Sequence, residues 1–94
     1  MTGIITKIDP PKENSWHSGV FIRIYFKMED GSWAQTDVVP DFRNYVYWKP
    51  IIESGLDTQV SDLVYKSKSK IDADCQPRIT GKSNNYSPQT QFSL

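Results

Sequence analysis

Residues 21–27, Phe-Ile-Arg-Ile-Tyr-Phe-Lys, alternate without a break between two kinds of side chain. Ile22, Ile24 and Phe26 share one face only if the segment is an extended strand, because a helical period would scatter them around the cylinder. That face is a core. The opposite face carries Phe21, Arg23, Tyr25 and Lys27, an aromatic, basic, aromatic, basic row. A row of this kind offers rings on which bases stack and cations that meet phosphates.

The strand runs from Val20 to Met28, and Glu29-Asp30-Gly31 turns it into a second strand from Ser32 to Val39. Parity selects the turn. A two-residue Asp30-Gly31 loop sets Phe26 against Gln35 and Ile24 against Asp37, which buries polar groups. A three-residue loop with Gly31 in the left-handed region pairs Phe26 with Ala34, Ile24 with Thr36 and Ile22 with Val38, and the core face stays apolar or small. The outer face then pairs Lys27 with Trp33, Tyr25 with Gln35 and Arg23 with Asp37. The first pair is a cation–π contact and the last a cross-strand ion pair.

Around this hairpin the chain reads as strand, strand, strand, helix, strand, strand. Residues 2–8 form the first strand, with Ile4 and Ile8 on one face and Ile5 on the other. Residues 9–15, Asp-Pro-Pro-Lys-Glu-Asn-Ser, are a breaker cluster. Asp41 can cap a helix that turns Phe42, Tyr45 and Val46 inward, with Pro50 a kink or second start and Gly55 its end. Strand is the alternative for residues 45–48. Residues 59–65 form a fourth strand, bent near Ser61-Asp62, and residues 71–75 a fifth. Residues 66–70, Lys-Ser-Lys-Ser-Lys, connect the two. Residues 81–94 are polar, with few apolar anchors, and read as a flexible tail behind a folded domain of residues 1–80.

This order of elements, with its helical insert and long aromatic-basic second strand, resembles the OB-fold, a five-stranded barrel with a helix between strands three and four. The resemblance covers residues 2–79. It implies a mainly β protein with a short helix, and a single-strand nucleic-acid face over strands two and three. Loops 9–18 and 66–70 would flank that face. An SH3-like barrel fits the same strand lengths.

Composition narrows the alternatives. The 94 residues support one domain, and 11 basic against 11 acidic residues count against a protein that coats nucleic acid by bulk charge, though not against one with a local basic groove. The lone Cys75 rules out an internal disulfide and points to a reducing compartment. No apolar run approaches ~20 residues and no secretory leader is evident, so the cytoplasm is the expected location. Aromatic residues at 13% exceed what one small core can absorb.

Catalytic and metal chemistry find little support. One His and one Cys cannot close a zinc site. Asp72 and Asp74 share a strand face, but nothing completes a cation site around them. No nucleophile elbow, Walker loop or dinucleotide fingerprint occurs. No cofactor is expected.

The expectation is therefore a non-catalytic binder of single-stranded nucleic acid, DNA slightly before RNA. Phe21, Tyr25 and Trp33 would stack bases, while Arg23, Lys27, Lys66, Lys68 and Lys70 would meet phosphates. Sequence preference should be weak, because every base has a π face. The alternative is a protein-interaction module, such as a phage or mobile-element accessory or inhibitor protein, working as a homodimer or on another partner. Net neutrality, surplus rings and the Phe92-Ser93-Leu94 end support it.

Overall fold

A computed structural model describes residues 1–14 and 19–82. The long alternating segment is β3 (Gly19–Met28), the spine of the sheet. β1 (Gly3–Ile8) runs antiparallel along one side of it and β4 (Trp33–Val38) along the other, while β2 (Lys12–Asn14) pairs with its first residues. After β4 comes the helix α1 (Tyr45–Ser54), then β5 (Thr58–Ser61), β6 (Tyr65–Ser67), β7 (Lys70–Ile71) and β8 (Arg78–Lys82). Seven strands in the order β6-β7-β4-β3-β1-β5-β8 make one curled half-barrel, with β2 attached to β3. The protein is thus mainly β with one short helix, and it has eight strands among the described residues rather than five.

The β3–β4 register follows the three-residue turn. Phe26 faces Ala34, Ile24 faces Thr36 and Ile22 faces Val38. Gly31 has φ +90°, its N–H donates to the Met28 carbonyl (2.9 Å), and the Met28 N–H donates to the Ser32 carbonyl (2.8 Å). Ile22, Ile24, Phe26 and Met28 are all buried. Sliding the register by one residue would expose all four, a loss on the order of 10 kcal/mol, comparable to the whole stability of a small domain.

β1 departs from simple alternation. A bulge at Thr6 pairs Ile5 with Phe26 and Ile8 with Ile24, so both isoleucines turn to the core. Strict parity had set Ile4 with Ile8. The extra residue moves Lys7 to the outer face, opposite Tyr25.

The helix begins at Tyr45, with Asn44 rather than Asp41 at its cap position. From that start, spacings of three and four bury Trp48 and Ile51 and half-bury Tyr45 and Ile52, leaving Phe42 and Val46 exposed instead of inward. Trp48 is fully buried; its indole N–H donates to the Ala73 carbonyl (2.9 Å), and its ring tilts against Phe26 at 6.4 Å between centroids. Pro50 lies inside the helix. The carbonyl it leaves without a donor belongs to exposed Val46, where water can reach it.

The second half differs most from expectation. Asp62, at φ 64°, makes a bend where one was expected, but the strand expected over 59–65 ends there: β5 stops at Ser61 and Tyr65 opens β6. Connector 66–70 is a hairpin: Tyr65 pairs with Ile71 and Ser67 with Lys70, and Ser69 takes φ 63° in the turn. The strand expected at 71–75 stops after Ile71. The Asp72 carboxylate accepts the Asp74 N–H (2.9 Å), the Asp72 carbonyl accepts the Cys75 N–H (3.2 Å), and Ala73 is committed to Trp48. A turn thus uses the groups a strand would need. β8 supplies the missing pairing with β5 and takes Gly81 and Lys82 out of the expected tail; the rest of that tail lies outside the described residues. No helix among the described residues is long and apolar enough to cross a membrane.

Candidate nucleic-acid interface

The outer face of β1, β3 and β4 gathers five of the eight residues singled out in the sequence, and β7 adds Lys70. Along β3, Phe21, Arg23 and Tyr25 are half-buried and Lys27 is exposed. The Lys27 ammonium sits 4.5 Å from the centre of the Trp33 ring, and Trp33 is 59% exposed. Arg23 forks onto Asp37, donating from Nε (2.7 Å) and Nη2 (3.1 Å), while its guanidinium carbon lies 5.6 Å from the Phe21 ring centre. The Tyr25 hydroxyl donates to Asp9 (3.0 Å), and the Lys7 ammonium lies 5.3 Å from the Tyr25 ring centre.

β7 closes the β4 side. Lys70 pairs with Gln35 in a parallel step, and its Nζ donates to Asp37 (3.3 Å). The Gln35 N–H donates to the Ser69 carbonyl (3.0 Å). Between these elements lies a hollow of about 180 Å³, lined by Tyr25, Trp33, Ala34, Gln35 and Ser69. A second hollow of about 290 Å³ lies on the β1 side of Lys27, lined by Thr2, Gly3, Ile4, Met28, Glu29 and Gln59 as well. Lys66 and Lys68 are exposed on β6 and its turn and join none of these contacts among the described residues.

Two carboxylates organise the cations. Asp37 accepts Arg23 and Lys70, whereas Asp9, itself buried, accepts the Tyr25 hydroxyl and pairs with Lys7 (3.5 Å) and Lys12 (3.8 Å). Burial pushes both acids toward the neutral form. The Tyr25 hydrogen bond with the Lys7 and Lys12 charges overcomes it at Asp9, and Arg23 with Lys70 overcomes it at Asp37, so both acids titrate below the usual carboxylate value. Asp37 in turn raises the Arg23 pKa, and the guanidinium stays charged.

A lowered carboxylate pKa favours the fold fully above the unfolded value of about 4, and that contribution disappears as the pH falls through the lower folded value. Urea melts should therefore show stability falling below about pH 4. Asp37→Asn should flatten that fall, at a loss of about 1 kcal/mol near neutrality, since the pair is only partly shielded from water.

Lys7, Asp9, Lys12, Gln35 and Tyr65 belong to this region and carried no assigned role in the sequence. Lys7 needs the Thr6 bulge to arrive there. Lys12 pairs with Phe21 through β2, inside the segment read as a loop. The Tyr65 hydroxyl is 3.5 Å from the Ser32 hydroxyl, next to Trp33. Gln35 was legible, because the register already placed it opposite Tyr25.

The other constellations remain apart from this face. Asp74 accepts the Asn44 amide (3.3 Å) and Asp72 caps its own turn. Among the described residues no three His, Cys, Asp or Glu side chains are grouped to hold a metal ion. Cys75 is buried, which pushes its thiol pKa up, and His17 lies outside the described residues. No protein-family model, curated protein or solved structure matches this chain.

Proposed function

We propose that the protein is a non-catalytic binder of single-stranded nucleic acid, DNA slightly before RNA, acting through the outer face of β1, β3 and β4. One observation carries the proposal. Tyr25 and Trp33 flank a hollow, with Lys27 against one ring and Lys70 on the strand beside Gln35. Lys27 sits over the indole, and Trp33 at 59% exposure keeps ring surface on which a base can stack. Lys7, Lys12, Lys27, Arg23 and Lys70 provide cations along the path, and phosphates compete with Asp9 and Asp37 for all of them except Lys27.

An OB-like reading of the half-barrel supports the same face. β1, β3 and β4 form an antiparallel meander, α1 follows β4, and β5 returns to pair with β1. In that reading β6 and β7 are an insertion at the β4 edge, and residues 9–12 and 69–70 border the face from its two sides.

A protein-interaction role has its own supporting observation: Phe42, Val46 and Tyr47 stand exposed at and beside the start of α1. Amide and side-chain chemical shifts recorded during an oligo-dT titration separate the two. The nucleic-acid reading expects changes at Lys7, Tyr25, Lys27, Trp33 and Gln35. Changes confined to 42–47, or none, count against it.

A further inference from the structure

We infer that the exposed side of α1 is a self-pairing surface: two copies of the chain dock their helices antiparallel, with Arg43 of each meeting Glu53 of the other. The inference does not depend on the nucleic-acid reading.

Spacing comes first. Trp48 and Ile51 turn one side of α1 into the core. Arg43, Val46, Pro50 and Glu53 are all exposed and follow at steps of three, four and three, which sets them in one stripe on the opposite side. Asn44 keeps right-handed helical torsions, and the Tyr45 N–H donates to the Phe42 carbonyl (3.0 Å), so the winding carries back to Arg43. The stripe is self-complementary. Laid antiparallel on a second copy, about a two-fold axis level with residue 48, Val46 meets Pro50 twice and Arg43 meets Glu53 twice. Exposed Tyr47 flanks this apolar centre on one side. Exposed Lys49 flanks it on the other, where it can donate to the Val46 carbonyl that Pro50 leaves without a partner.

Charge points to a second copy as the occupant. Neither Arg43 nor Glu53 has an ion-pair partner among the described residues. α1 has no acid in its first turn and no base in its last, so Arg43 stands at the positive end of the helix dipole and Glu53 near the negative end. Both placements oppose an isolated helix. An antiparallel copy reverses both, bringing a carboxylate to the positive end and a guanidinium to the negative one.

The contact is small. Ten residues make a helix only about 15 Å long, too short to bury the roughly 800 Å² per partner of a standard stable complex. The pairing is therefore weak and is populated at high micromolar protein and above. It leaves the outer face open, because Trp48 packs on Phe26 while Tyr25 and Lys27 leave β3 on the other side.

The test is translational diffusion of the full chain, measured by NMR over a range of concentrations. The wild type is expected to pass from monomer toward dimer between about 20 μM and about 1 mM. Arg43→Glu and Glu53→Arg each set like charges at both contacts and should weaken the pairing on the order of tenfold. An equimolar mixture of the two variants restores opposite charges at both contacts and should pair as well as the wild type. Both side chains are exposed, so neither change is expected to disturb folding, and circular dichroism checks this. A wild type that stays monomeric, association that neither variant weakens, or a mixture as weak as its components overturns the inference. A monomer that binds a different protein through residues 43–53 overturns it as well and assigns the stripe to that partner.

Discussion

Trp33→Ala and Tyr25→Ala are each expected to weaken binding of single-stranded oligonucleotides by about tenfold or more, because a base–aromatic stack is worth ~1–3 kcal/mol. Their stability costs should differ. Trp33 is 59% exposed and its ring packs against the Lys27 ammonium at the surface, so its removal should leave the melting temperature nearly unchanged. Tyr25 also donates to buried Asp9, and losing that bond should cost about 1 kcal/mol. If both rings hold the same base, the double variant should lose less than the sum of the two single losses. Anisotropy titrations with parallel thermal melts read both effects. Unchanged affinity in the two folded variants contradicts the stacking role.

Trp48→Ala should act oppositely, on folding rather than on the face. The indole is fully buried against Phe26. Its loss leaves a large cavity, worth ~3–5 kcal/mol, and removes the donor from the Ala73 carbonyl. Small domains hold a total of about 5–15 kcal/mol, so the variant should lose a large share of its stability and melt far below the wild type by circular dichroism. Trp48→Phe keeps a ring but not the N–H and should cost less, though more than Trp33→Ala. A Trp48→Ala variant that melts with the wild type would show that α1 does not anchor the half-barrel.

The contrast between the two tryptophans shows where sequence patterning is informative. Trp33 was legible because strand parity, with Gly31 to permit the turn, leaves one register that buries Ile22, Ile24 and Phe26 together. The Lys27–Trp33 and Arg23–Asp37 pairs followed from that register. Trp48 was not legible, since its direction depends on which residue starts the helix. A start three residues later rotates the set from Phe42, Tyr45 and Val46 to Tyr45, Trp48 and Ile51. Lys7 was hidden for a related reason, because a bulge has no mark in the pattern of residues 3–8 until a partner strand is present. β8 has little apolar signal, as an edge strand with Ile79 exposed, and its place is set by pairing with β5. At residues 71–75 alternation was real, but the Asp72 carboxylate and the Trp48 indole claimed the backbone. Asp9 was the least legible part of the face: apart from Lys27, its cations are held by Asp9 and Asp37.

That tension makes the salt dependence of oligo-dT binding the most direct measurement of the central claim. If phosphates displace Asp37 and Asp9 from the cations, the logarithm of affinity should fall linearly with the logarithm of salt concentration, with a slope of about 0.7 for each phosphate neutralised on a single strand. Lys27→Ala should lower the slope by about one such step. No change in the anisotropy of labelled oligo-dT at low salt and high micromolar protein, or binding indifferent to salt, would contradict the assignment of this face to single-stranded nucleic acid.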